Sequence, residues 1–188
     1  MTCRFVVTAL AITCASVLAA ADEPSLPLPP DGYSWERCPA AKGALLRPDG
    51  WHFAAATGTD IAVYYIAKQP LDAQYVDTSL TLTVLPSSPE TAAMKPSQYV
   101  NAFIDLHSRR LGILKDWKVD FGTLMSHGQV TKENPKLPRG KQRWTYVFGN
   151  DCTGTLFIYI FETLIADWDH DWAVIEPVIS QLKLDDSV

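Results

Sequence analysis

The chain has 188 residues, 47% of them apolar, with 16 Lys and Arg against 21 Asp and Glu. That length allows one domain with a sizeable core, and the net charge of −5 argues against nucleic acid or an anionic membrane surface as a partner. No block of like charges and no low-complexity tract is present.

Residues 1–21 read as a secretory signal peptide. Arg4 supplies the positive charge, Phe5 to Leu18 is almost wholly apolar, and Ala19, Ala20 and Ala21 give a small-residue cleavage pattern before Asp22. An apolar run of that length is too short for a stable membrane span. Thr13, before Cys14, is larger than the residue a lipid-attachment site takes, so lipidation is not expected. Cleavage would leave 167 residues with 15 basic and 21 acidic side chains, a balance of −6, in the periplasm or outside the cell.

Residues 22–44 are expected to form an extended leader, because Pro24, Pro27, Pro29 and Pro30 crowd its first part. Asp31 to Pro48 has no clear period and reads as irregular, and a single domain is expected over residues 45–188. Trp51–Ala55 and Ile61–Ala67 are short apolar runs joined by a Thr-Gly-Thr-Asp turn, which predicts two strands. Thr78 to Leu85 alternates, with Leu80, Leu82 and Val84 on one face, and predicts a third. Pro96 then opens a predicted helix to Leu111, with Tyr99, Val100, Phe103 and Ile104 at helical offsets and Gly112 as its stop.

Strand-like patterns return at Val119–Thr123, Leu124–Lys132 and Arg143–Phe148, separated by a Pro-rich loop from Lys132 to Gly140. Thr155–Ile165 is apolar on both faces, so its sheet needs cover on both sides. After the Asp-rich turn at Asp167–Asp171, residues Trp172, Ile175, Ile179 and Leu182 form one helical stripe, with Pro177 kinking that helix or opening a shorter one.

Phe157, Tyr159 and Phe161 on the last strand, Ser180-Gln181-Leu182 at the helix end, and the early Trp51-His-Phe run followed by Tyr64-Tyr65 together resemble the PsbP-like superfamily, which includes the Ran-binding Mog family and DcrB-type proteins. The resemblance covers roughly residues 45–185. It implies an α+β fold, an antiparallel sheet flanked by helices in an α/β/α sandwich, and a non-catalytic accessory, chaperone or binding role. Functions in the superfamily differ too widely to carry over any binding residue.

Candidate chemistry is sparse. Cys38 and Cys152 survive signal removal and are expected to pair in an oxidising compartment. Such a bridge would close a loop worth about 4–5 kcal/mol on the chain-entropy account. Asp167, Asp169, His170 and Asp171 offer carboxylates and an imidazole for a divalent metal, although helix capping explains the same residues. The His52, His107 and His127 imidazoles are scattered. Ser126-His127 lie side by side, but neighbours on a strand face opposite ways and no strained nucleophile elbow is present. No phosphate loop, zinc motif or calcium loop is found, and no cofactor is expected. Trp117, Trp168 and Trp172 flank loops and are candidates for a binding edge. Lys132, Lys136, Arg139 and Lys141 make a local basic patch on an acidic chain, suited to an acidic protein partner. The function expected from all this is that of an exported accessory or protein-binding protein of the bacterial envelope, immunity- or chaperone-like. A small secreted hydrolase or metal-dependent enzyme using the Asp167–Asp171 turn is the alternative.

Overall fold

The computed structural model describes residues 26–181 except 87–93, 110, 121, 135 and 138. The signal-peptide segment and Leu182 lie outside the described residues. Among the described residues nine strands are arranged in two sheets. Strands β1 (Tyr33–Cys38) and β2 (Gly43–Pro48) form a separate antiparallel hairpin around a short 3-10 turn at Pro39–Ala41. The main sheet holds β3 (His52–Thr57), β4 (Ala62–Ala67), β5 (Ser79–Leu85), β6 (Gly112–Asp120), β7 (Leu124–Lys132), β8 (Lys141–Asn150) and β9 (Thr155–Leu164). Its order is β3-β4-β5-β9-β8-β7-β6, antiparallel throughout. Helix α1 (Pro96–Ser108) lies between β5 and β6 in sequence, and α2 (Trp168–Ser180) follows β9.

Strand alternation assigns each helix its face. In β8 and β9, Trp144, Tyr146, Phe148, Phe157, Tyr159 and Phe161 are paired across the ladder and point one way, while Val147, Ile158 and Leu156 point the other. The aromatic face takes α2 and the hairpin, with Ile175 and Val178 wholly buried against it. The aliphatic face takes α1 through Val100 and Ile104. The two helices therefore cover opposite faces, which makes the α/β/α sandwich and explains why β9 is apolar on both sides.

Local chemistry fixes both helices. Pro96 starts α1, where its missing N–H costs nothing. Asp151, in the β8–β9 turn, caps that end by accepting the Ser97 backbone N–H at 2.9 Å and the Ser97 hydroxyl at 2.8 Å. Gly149 permits the approach, because a Cβ there would stand 2.7 Å from the Pro96 carbonyl. Helix α2 keeps Pro177 inside it near the C-terminal end, and the Gln181 N–H closes back on the Pro177 carbonyl.

The stretch from Asp31 to Pro48, expected to be irregular, is instead the β1–β2 hairpin. Cys38, Ala41, Leu45 and Leu46 are buried in the core, so the packed structure reaches into the expected leader of residues 22–44. The Tyr33 hydroxyl donates to the Val174 carbonyl of α2 at 2.9 Å, a contact across 141 positions of sequence that no local pattern encodes. Gly112 does not end a helix but opens β6, while α1 stops at Ser108.

Candidate functional site

The Asp-rich turn separates in space. Asp171, on the inner side of α2, is 1% exposed. Its Oδ1 accepts from Lys68 Nζ at 2.8 Å, and its Oδ2 accepts from the hydroxyls of Thr163 at 2.7 Å and Thr78 at 2.9 Å. Burial pushes its pKa up, but these donors outweigh that and leave the carboxyl below the ordinary carboxylate range. Asp167, Asp169 and His170 are exposed. On a helix, successive side chains lie about 100° apart, so neighbours of an inward Asp171 must point outward. Among the described residues no three His, Cys, Asp or Glu side chains are placed to hold a metal, which corrects the metal reading of this turn. Asp171 is a structural anchor joining α2 to β9 and to the ends of β4 and β5.

Part of the basic loop is likewise taken up by ion pairs. Arg139 pairs with Asp77 and lies 4.4 Å over the Tyr75 ring. Lys141 pairs with Glu162 and donates to the Val76 carbonyl at 3.2 Å. Arg143 also bonds Glu162, at 2.9 Å. Burial raises the Glu162 pKa, yet the two cations hold it below the usual range. Lys132 is half-buried at the end of β7 and Lys136 is exposed. Two of the four expected cations are thus paired with carboxylates, Lys141 in a half-buried pair and Arg139 in an exposed one.

Cys38 and Cys152 are both free, against the expected disulfide. Cys38 is sealed under the hairpin, where burial pushes its thiol up to about 12. Cys152 is exposed in the β8–β9 turn, which α1 and Asp151 hold on the aliphatic side of the sheet. Trp168 and Trp172 stack on each other with centroids 5.4 Å apart, and Trp172 packs 6.1 Å from Trp144 and 6.0 Å from Phe161. They are helix-to-sheet cement rather than a binding edge. Ser126 and His127 lie on opposite faces of β7, opposite Phe148 and Val147 respectively. Beneath the C-terminal end of α1, Ile104, His107, Gln129 and Arg143 line a cavity of about 10 Å³, enough for one water and too small for a substrate.

One surface remains that local patterns revealed only in part. Strand β6 is the sheet's edge, nine residues long, and every residue but Trp117 is exposed. Ile113, Leu114 and Val119 are among the exposed large apolar side chains. Among the described residues no backbone hydrogen bond reaches the outer side of this strand. Trp117 leans back over Gly128 of β7, where any Cβ would overlap its indole. On the other face, Asp116 Oδ2 lies 3.1 Å from His127 Nε2 and accepts from the Gln129 amide. The Gln129 bond, ahead of the opposing desolvation, holds the Asp116 carboxyl below its ordinary range, with His127 and Lys118 adding to the effect. His127 is 2% exposed, and its Nδ1 has no hydrogen-bond partner among the described residues. These contacts brace β6 against β7 from both faces, past a shift in its register between Ile113 and Lys115, while the outer edge of its regular part, Lys115–Asp120, stays open, the arrangement that accepts an added strand.

No protein-family profile and no curated protein matches the sequence. Solved structures do. The Ran-binding protein Mog1p of Saccharomyces cerevisiae is 8% identical, with a TM-score of 0.51, covering 82% of this chain and 96% of that one. The cyanobacterial PsbP (CyanoP) of Synechocystis sp. PCC 6803 is 12% identical over 82% of this chain and 93% of that one, with a TM-score of 0.49. A putative regulator from Pseudomonas aeruginosa, PA94, is 12% identical over 79% and 94%, with a TM-score of 0.43. At such identities the likeness speaks for architecture alone, and the architecture of this chain is the α+β fold of Mog1p.

Proposed function

We propose that the chain is an exported, non-catalytic protein-binding protein of the bacterial envelope, an accessory factor of the immunity or chaperone kind, which engages protein along β6. The observation that carries this reading is the open nine-residue edge with exposed Ile113, Leu114 and Val119, stiffened by Trp117 and Asp116. Edge strands are ordinarily shortened, covered, charged, bulged or broken by Pro; β6 is irregular near Ile113 and carries Lys115 and Lys118, yet its stretch Lys115–Asp120 is regular and uncovered. Export rests on the charged, apolar and small-residue order of residues 1–21. Non-catalytic action is supported by the Asp171 and Glu162 carboxylates, whose donors are structural, and by the Ser126 and His127 side chains facing apart. The Mog1p likeness agrees in one respect, since that protein binds another protein, Ran.

Photo-crosslinking in intact cells tests the reading. A photoreactive residue at Leu114 should trap protein, and the same group at exposed Glu176 on α2 should not. The trapped chain should begin at Asp22 by mass. Equal trapping at both positions, or none at Leu114, would sink the reading of β6. A chain that keeps Met1 would sink export.

A further inference from the structure

The charges along β6 define what strand fits beside it. We infer that the edge pairs antiparallel with β6 of a second copy of this chain, about a two-fold axis at Trp117. This rests on β6 being a strand-accepting edge. In an antiparallel pair, residues directly opposite share a face, and their numbers sum to a constant. A sum of 234 sets Asp116 against Lys118 of the second copy, and Lys118 against Asp116, so the symmetry makes the unlike pair twice. The same sum sets Lys115 against Val119, where a Lys stem covers an exposed apolar side chain.

A shift of two positions either way destroys this match. One shift sets Asp116 against its own copy. The other sets Lys118 against its own copy and Asp116 against Asp120. Like charges directly opposite are destabilising, so the pattern disfavours both neighbouring registers. Trp117 falls on the axis, and its ring leans away from it over Gly128, which leaves room for the two backbones to meet. The opposite edge of the sheet, β3, has no such code: His52–Thr57 carries no Asp, Glu, Lys or Arg and none of the exposed large apolar side chains.

The test is a charge swap, read by sedimentation equilibrium on mature protein over a wide concentration range. Wild type should dimerise. Lys118→Glu sets Glu against Asp116 at both pairs and should weaken the dimer about tenfold or more. Asp116→Lys should do the same. Mixing the two variants restores unlike pairs at both places and should recover a heterodimer. Where Asp116→Lys fails to fold by circular dichroism, affinities of wild type, the wild-type/Lys118→Glu mixture and Lys118→Glu alone should fall in that order. A monomer at every concentration overturns the inference, as does a dimer indifferent to Lys118→Glu. The outcomes separate from those for β6 as a partner-binding edge. A monomer whose Leu114 crosslinks a different protein overturns self-pairing alone. A charge-sensitive dimer that traps only itself supports self-pairing and overturns the accessory role.

Discussion

Asp171 and Asp116 are both carboxylates held below their ordinary range by side-chain donors, and they show two uses of the same chemistry. Asp171 is sealed, with its oxygens shared among Lys68, Thr78 and Thr163. Asp116 stands on an edge strand with 44% of its side chain exposed and bonds inward to Gln129 and His127. The sealed carboxylate locks a helix to a sheet. The open one braces a strand whose other side stays available. Polar density in a sequence therefore does not by itself mark a functional surface, because a dense cluster can be an internal rivet.

Removing each carboxylate is the sharpest way to break that comparison. Asp171→Asn should cost about 2–3 kcal/mol in urea unfolding, since charged hydrogen bonds are lost in a buried setting. Asp116→Asn should cost about 1 kcal/mol or less, because solvent screens a half-exposed group. Acid gives the sign. A carboxyl with a depressed folded-state pKa contributes stability above its unfolded value, about 3.9, and loses it as pH falls through the folded value. The difference between wild type and Asp171→Asn should therefore be full at neutral pH and shrink below about pH 4. Equal costs for the two substitutions, or a pH-independent gap, would remove the distinction between rivet and brace.

What the sequence disclosed follows the same line. Alternation at Leu80, Leu82 and Val84 and helical spacing at Val100 and Ile104 located β5 and α1, because each buries one regular face. The two-sided apolarity of Thr155–Leu164 announced cover on both faces, and the two helices supply it. The β1–β2 hairpin escaped because its burial depends on α2, which arrives far later in the chain. Strand β6 was legible only in part, since Gly112 resembles a helix stop and an exposed edge lacks the hydrophobic period of a half-buried strand. The acidic-turn residues separate because adjacent residues on a helix point apart, and the basic loop is partly taken up by ion pairs. Nothing local revealed that Asp77 and Glu162 would receive Arg139 and Lys141.

A smaller effect tests the brace itself. Gly128→Ala places a Cβ where the Trp117 indole lies. The ring sits on an edge strand and can swing out, so the cost should be about 1–2 kcal/mol rather than loss of the fold. Trp117 emission should shift to the red as the indole enters water, best read with the other tryptophans accounted for by a Trp117→Phe reference. If the spectrum of Gly128→Ala matched wild type, Trp117 would not be resting on Gly128, and β6 would lack its support on that face.

The cysteines give the smallest expected effect and repeat the contrast of sealed and open. Cys38 is buried with its thiol pushed up to about 12, so the reactive thiolate is scarce there and access is poor. Cys152 is exposed in a turn. Native protein should react quickly at Cys152 and at Cys38 only after unfolding, and Cys152→Ser should change stability by about 0.5 kcal/mol or less. A native disulfide would instead make the same substitution cost about 2–5 kcal/mol and leave neither thiol free before reduction. The two outcomes differ by several-fold in energy and completely in labelling. The experiment therefore decides whether the hairpin is held to the sheet by packing and the Tyr33 hydroxyl or by a covalent tie to the β8–β9 turn.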